Sequence, residues 1–175
     1  MFEKLKGRLA EEDIDSLHTL YVVELQDALD AELQIIDELP KMVKGVNHGS
    51  LKRALEDHRK ETGVHIDRLR KIIHKSGKDE SDERCLAMEG IIKETRVRLG
   101  MEGNEAVKDA ALIAAAQRIE HYEISLYGTL VAYADLLGES EARQKLSETL
   151  REEKEADVKL TEIAMQEVNL EAPVV

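Results

Sequence analysis

Several positions in this sequence carry carboxylates and imidazoles where a helix would be expected to carry leucine. Glu32 follows Ala28 by four residues and precedes Leu39 by seven, and His58, Glu61 and His65 follow Ala54 by four, seven and eleven. Gln117 and Glu120 fill the places between Ile113 and Ile124, Glu123 stands one turn beyond Glu120, and Glu153 and Asp157 lie between Leu150 and Leu160. At helical periodicity these are inward positions. An ionised carboxylate buried without a partner costs several kcal/mol, and the same stripes offer no Lys or Arg in compensation. Two divalent or trivalent metal ions would neutralise the set, because hard cations take carboxylate oxygen readily. Glu32, Glu61, Glu120, Glu123, Glu153 and Asp157 are the candidate ligands. His65 reads equally as a ligand or as a group supporting one, and His58 and Gln117 read as supports. Tyr127 reads as packing or as a phenol bonded to a ligand. The competing reading, ordinary surface charge, requires the coincidence of the four stripes to be accidental.

The positioning elements follow from the apolar period. Leu17, Tyr21, Leu25, Ala28, Ile35 and Leu39 predict a first helix from about Ile14, which Pro40 kinks or ends. Val46 to Ser50 predicts a turn, with Ser50 capping a second helix through Leu51, Ala54, Leu69 and Ile72 to Ser76-Gly77. A crossover follows with a short helix (Cys85, Met88, Ile91, Ile92, Leu99) ending near Gly100. Asn104 then caps a long helix through Ala134 and Leu137 that Gly138 stops, and a last helix starts near Ser140. The expectation is one all-α domain over residues 1–175, with a core over about 14–169 and a frayed tail at 171–175. Its fold is an antiparallel four-helix bundle with a long crossover containing a short extra helix. At about 1.5 Å of rise per residue, Glu32 lies roughly 24 Å before the first turn and Glu61 to His65 roughly 17–24 Å after it, so they share a level. Glu120, Glu123, Glu153 and Asp157 are likewise matched about Gly138.

Composition narrows the function. Thirty-seven Asp and Glu against twenty-five Lys and Arg give a net charge of -12, which repels a phosphate backbone, so nucleic acid is not an expected partner. A single cysteine excludes an intrachain disulfide and a thiolate zinc cluster and suits a reducing compartment. The N-terminal residues lack a signal-peptide pattern, and no stretch approaches the ~20 apolar residues of a membrane span. A cytoplasmic protein with no membrane partner is expected.

The segments Ala31-Glu32-Leu33-Gln34, Glu61-Thr62, Cys85 to Gly90, Asp109 to Gly128 and Glu152-Glu153-Lys154 with Asp157 and Leu160 resemble the ferritin-like di-metal carboxylate superfamily, and within it the YciE/YciF-type stress proteins. The EHYEISLYG stretch is the most specific. The resemblance implies a homodimer in stress response that binds two metal ions, iron first, with manganese or zinc as alternatives. Glu61 and Glu153 would bridge the ions, with Glu32, His65, Glu120, Glu123 and Asp157 as terminal ligands and open positions for dioxygen or hydrogen peroxide. The family's own activity is undefined; the enzymatic reading of such a site is a ferroxidase-like or peroxidase-like oxidoreductase. The wider motif places His three residues after Glu on two helices; here Val64 and Ala156 stand there, and His65 and Asp157 fall at four. Glu120 and Glu123 keep a spacing of three, as in rubrerythrin-like members. The alternative is a non-enzymatic helical stress protein whose metals are structural or whose site is vestigial.

Overall fold

The computed structural model describes residues 14–174. The ends of the expected domain, residues 1–13 and Val175, lie outside that range. Helix α1 (Leu17–Gly45) starts where the Ser16 hydroxyl accepts from the Thr19 amide at 3.1 Å. It passes through Pro40 instead of ending there. Proline removes one amide donor, and the buried neighbours Leu39 and Met42 hold the helix on either side.

Helix α2 (Gly49–Lys75) begins two residues earlier than expected, with His48 at the cap position and no side-chain cap bond. Ser50 lies inside the first turn and donates its hydroxyl to Glu167 Oε2 at 2.7 Å. The turn is held from a distance instead. The buried Asp109 carboxylate accepts from the Asn47 amide at 3.0 Å and from the His48 amide at 2.7 Å. Helix α3 (Leu86–Leu99) is capped by Cys85, whose sulfur accepts from the Met88 amide. Helix α4 (Glu105–Leu136) is capped by Asn104 as expected, and Gly138 takes φ +74°, a left-handed conformation that glycine adopts freely, to reverse the chain. Helix α5 (Ser140–Ile163) continues through a π-helical turn over Ala164–Val168 to Glu171.

The architecture is an all-α antiparallel bundle. Helices α1 and α2 form one hairpin and α4 and α5 the other, while the crossover returns the chain along α1 and α4 with α3 packed on both. Its interior divides in two. One apolar cluster joins Ile35, Leu39 and Met42 to Leu51, Met88, Leu112 and Leu160; the other joins Leu25 and Leu29 to Leu69, Ile73, Leu130 and Leu146. The candidate ligands lie between them. None of the described helices is long and apolar enough to cross a membrane.

Asp109 therefore couples the α1–α2 turn to α4. Asp109→Ala strands two amides and is expected to lower the urea unfolding free energy by about 1–3 kcal/mol with an unchanged m-value, whereas Asp109→Asn, which keeps one acceptor, loses less.

Candidate metal centre

Each long helix contributes to one layer at mid-height: Glu32 from α1, His58 and His65 from α2, Glu120 and Glu123 from α4, and Glu153 from α5, all buried. His65 Nδ1 stands 2.8 Å from Glu153 Oε1 and 3.4 Å from Glu32 Oε1. His58 Nε2 stands 3.5 Å from Glu120 Oε1 and 4.0 Å from Glu123 Oε2, and its Nδ1 lies 4.0 Å from Glu153 Oε2. Donor atoms fall into two groups, His58–Glu120–Glu123–Glu153 and Glu32–His65–Glu153, each with its atoms within 4.8 Å of one another. Oxygen and nitrogen ligands sit about 2.0–2.2 Å from a first-row ion, so two ligands to one ion are separated by at most about 4.4 Å. The groups are within a small side-chain adjustment of that limit, and Glu153 belongs to both.

Apart from the close His65–Glu153 pair, these side chains approach one another at longer range. Among the described residues twelve buried side-chain N and O atoms lack a hydrogen-bond partner, and nine of them belong to these six residues, including both oxygens of Glu123 and of Glu153 and both nitrogens of His58. Two other buried carboxylates show the contrast. Glu38 accepts from Arg96 at 2.7 Å and Lys41 at 2.6 Å, and Asp109 accepts two amides. The donor set is thus oxygen-rich with two imidazoles, which suits iron, manganese or zinc, and its unpaired atoms fit a pair of cations.

Supports surround the layer. The Tyr127 hydroxyl donates to Glu32 Oε1. Glu152 Oε2 lies 3.0 Å from His65 Nε2 and also accepts from Arg68, whose guanidinium bonds Thr149 at 3.0 Å as well. With Nε2 held by Glu152, the other ring nitrogen is turned inward. Sequence reasoning missed Glu152 and Arg68; Arg68, one turn beyond His65, was the available signal.

The family model described as Domain of unknown function (DUF892) matches residues 16–173. The chain belongs to the DUF892 family. It is 37% identical over 161 residues to Protein YciF of Escherichia coli K12, covering 91% of this chain and 97% of that protein. The crystal structure of the E. coli stress protein YciF superposes with a TM-score of 0.85 at 38% identity, covering 89% of this chain and 98% of YciF. YcfI of Rhodopseudomonas palustris gives 0.84 at 39%, over 88% and 98%. A Xanthomonas campestris protein at 22% identity and TM-score 0.69, over 85% and 90%, shares the fold.

In this DUF892 protein Glu32, His65, Glu120, Glu123 and Glu153 come together as their spacing predicts, with Tyr127 bonded to one of them. Four positions differ. His58, expected as a support, stands among the donors. Glu61, expected as a bridging ligand, has a side chain 50% exposed, with Oε2 4.0 Å from His58 Nδ1. The buried stripe of α2 runs Leu51, Leu55, His58, Thr62, His65, Leu69; at about 100° per residue, Glu61 points about 80° away from its centre. Asp157 lies on the flank of α5, where it accepts from Gln117 Nε2 at 3.0 Å and lies 3.4 Å from His121 Nε2. Gln117 spends its amide on Asp157 and Thr161 and makes no hydrogen bond to the layer.

Burial pushes the Glu120 and Glu123 carboxyls well above the usual range, with the negative charge of Glu153 adding to it. Burial also raises Glu32, against the pull of His65. It acts the same way on Glu153, but there His65 and His58 outweigh it and the carboxyl is held low. Burial lowers His65, yet Glu153 and Glu32 overcome it and lift the imidazole to about 10. Without metal, protons are held where cations would sit.

Raised folded-state values mean that the folded chain keeps protons the unfolded chain has released. For Glu32, Glu120 and Glu123 this favours folding below the ordinary Glu range near ~4.3, and the advantage is lost as pH rises through the higher folded values. His65 acts in the same direction between about 6.5 and its raised value of about 10. The metal-free protein is therefore expected to melt at progressively lower temperature from about pH 5.5 to pH 8, and Glu123→Gln is expected to flatten that slope in a thermal-melt series.

Proposed function

We propose that this chain is a ferritin-like protein that binds two metal ions, iron first, in the mid-bundle layer and uses them in oxidation chemistry during stress. The observation that carries the reading is the set of nine unpartnered donor atoms, divided into two groups that share Glu153. His58, Glu120, Glu123 and Glu153 would hold one ion, and Glu32, His65 and Glu153 the other. Redox-active ions held there would supply the electrons for reduction of dioxygen or hydrogen peroxide.

The chain's own residues do the rest. Tyr127 fixes the orientation of Glu32, and Glu152 fixes that of His65. The apolar clusters on either side keep bulk water out and lower the local dielectric, which strengthens every ligand contact. A groove of about 410 Å³ between α2 and α5, lined by His58 and Glu120 among others, reaches the layer and would admit a small oxidant. The relatedness to a stress protein, YciF, supports the physiological setting.

Elemental analysis of freshly purified protein is expected to find two ions per chain, and Glu153→Gln to lose both. Saturating metal at about a thousand times its dissociation constant is expected to add about 4 kcal/mol of stability, removed by chelator. Loaded protein is expected to change its visible absorbance and consume peroxide. Stoichiometric metal with chelator-sensitive melting but no reaction would assign the ions a stapling role instead, and purified protein without metal would remove the centre altogether.

A further inference from the structure

The groove between α2 and α5 carries more than access. Small and apolar side chains (Ala54, Leu55, Ala156, Leu160) line it alongside charged ones. Its rim charges are matched almost throughout. Asp57 bonds Lys60 at 2.8 Å and feels Lys159, Glu155 bonds Arg151 at 2.6 Å, and Glu152 is held by Arg68. Among the described residues Glu61 pairs with no lysine or arginine; its one cationic contact is His58 Nδ1 at 4.0 Å. From it the donors descend in steps: Glu61 with a side chain 50% exposed, His58 at 6%, Glu120 at 3% and Glu153 fully buried. The steps from Glu61 to His58 and from His58 to Glu120 are 4.0 and 3.5 Å. His58 is the decisive member, since it is buried, faces the groove and has neither ring nitrogen hydrogen-bonded.

Resting on the reading of the layer as a metal centre, we propose that this groove is the loading route for divalent cations and that Glu61 is their capture site, handing each ion to His58 and thence to Glu120 and Glu153. A hydrated divalent ion surrenders water reluctantly; a carboxylate at the mouth and an imidazole one step in replace lost water one ligand at a time. Glu61 is a transit group and holds no ion at equilibrium. Capture by an exposed anion also makes loading dependent on ionic strength.

The test uses the metal-free full-length chain and Co²⁺ as the probe, with uptake followed by visible absorbance in a stopped-flow instrument and stoichiometry by equilibrium titration. Glu61→Gln is expected to take up Co²⁺ about tenfold more slowly, with weaker salt dependence and an unchanged final stoichiometry. Ala156→Leu, which narrows the groove without touching a ligand, is expected to slow uptake too, and Glu155→Gln, removing a carboxylate already paired, to load like the unaltered chain. Uptake by Glu61→Gln within about twofold of the unaltered rate overturns the route, and loss of a bound Co²⁺ from that variant overturns the transit role by making Glu61 a resident ligand. Failure of the unaltered chain to bind Co²⁺ at all overturns the metal-centre reading itself, and the route with it.

Discussion

More negative than positive charge in a dry layer is the constraint around which this molecule is organised. Four glutamates and two histidines are withdrawn from water at one level of the bundle, and among the described residues neither lysine nor arginine reaches the four carboxylates. The chain shows elsewhere how it treats a buried acid it means to satisfy: Glu38 is given Arg96 and Lys41, and Asp109 is given two backbone amides. Omitting such partners from one layer, four times over, leaves a site whose electrostatic balance is completed by protons or by cations.

That layer also explains the division of the core. An uninterrupted apolar interior would bury more hydrocarbon and be more stable. Here the apolar contacts are split into a cluster on each side, and together they hold the ligand-bearing segments of α1, α2, α4 and α5 in register. The apolar packing of this arrangement lies at the two ends, and its buried polar groups in the middle. The crossover is part of the same device. Cys85 at the start of α3 accepts from Met88, lies 3.0 Å from the Tyr122 hydroxyl and gives its own amide to Asp30, tying the connection to α1 and α4 on either side of the ligands they carry.

The supports are asymmetric. On one side of Glu153, His65 is oriented by Glu152 and Arg68, and Glu32 by Tyr127. On the other, His58 has no hydrogen-bonded support among the described residues and faces the groove. A fixed half thus stands beside a less constrained half that opens to the groove.

Much of this was legible in the sequence because helical periodicity is a local property. The element order, the caps at Asn104 and Gly138, the shared level of Glu32 and His65, and the inward direction of Glu120, Glu123 and Glu153 all follow from spacing and rise along single helices. Other features depend on how one helix is rotated against another, which no single helix encodes. A stripe continued from Ala54 includes Glu61 about as well as Thr62, and packing chose Thr62 by a rotation smaller than the angle between neighbouring positions. The same choice brought His58 into the layer, and the separate rotation of α5 left Asp157 to Gln117 and His121 on the flank. Ser50 and Asp109 are the loop counterpart: a serine before a helix predicts a cap locally, but the carboxylate that holds the turn comes from a helix sixty residues on, brought there by tertiary packing. Residue types and their heights along each rod were determined by the sequence; which of two adjacent flanks met the neighbouring rod was decided by tertiary packing alone, because only side-chain interlock between helices sets their mutual rotation.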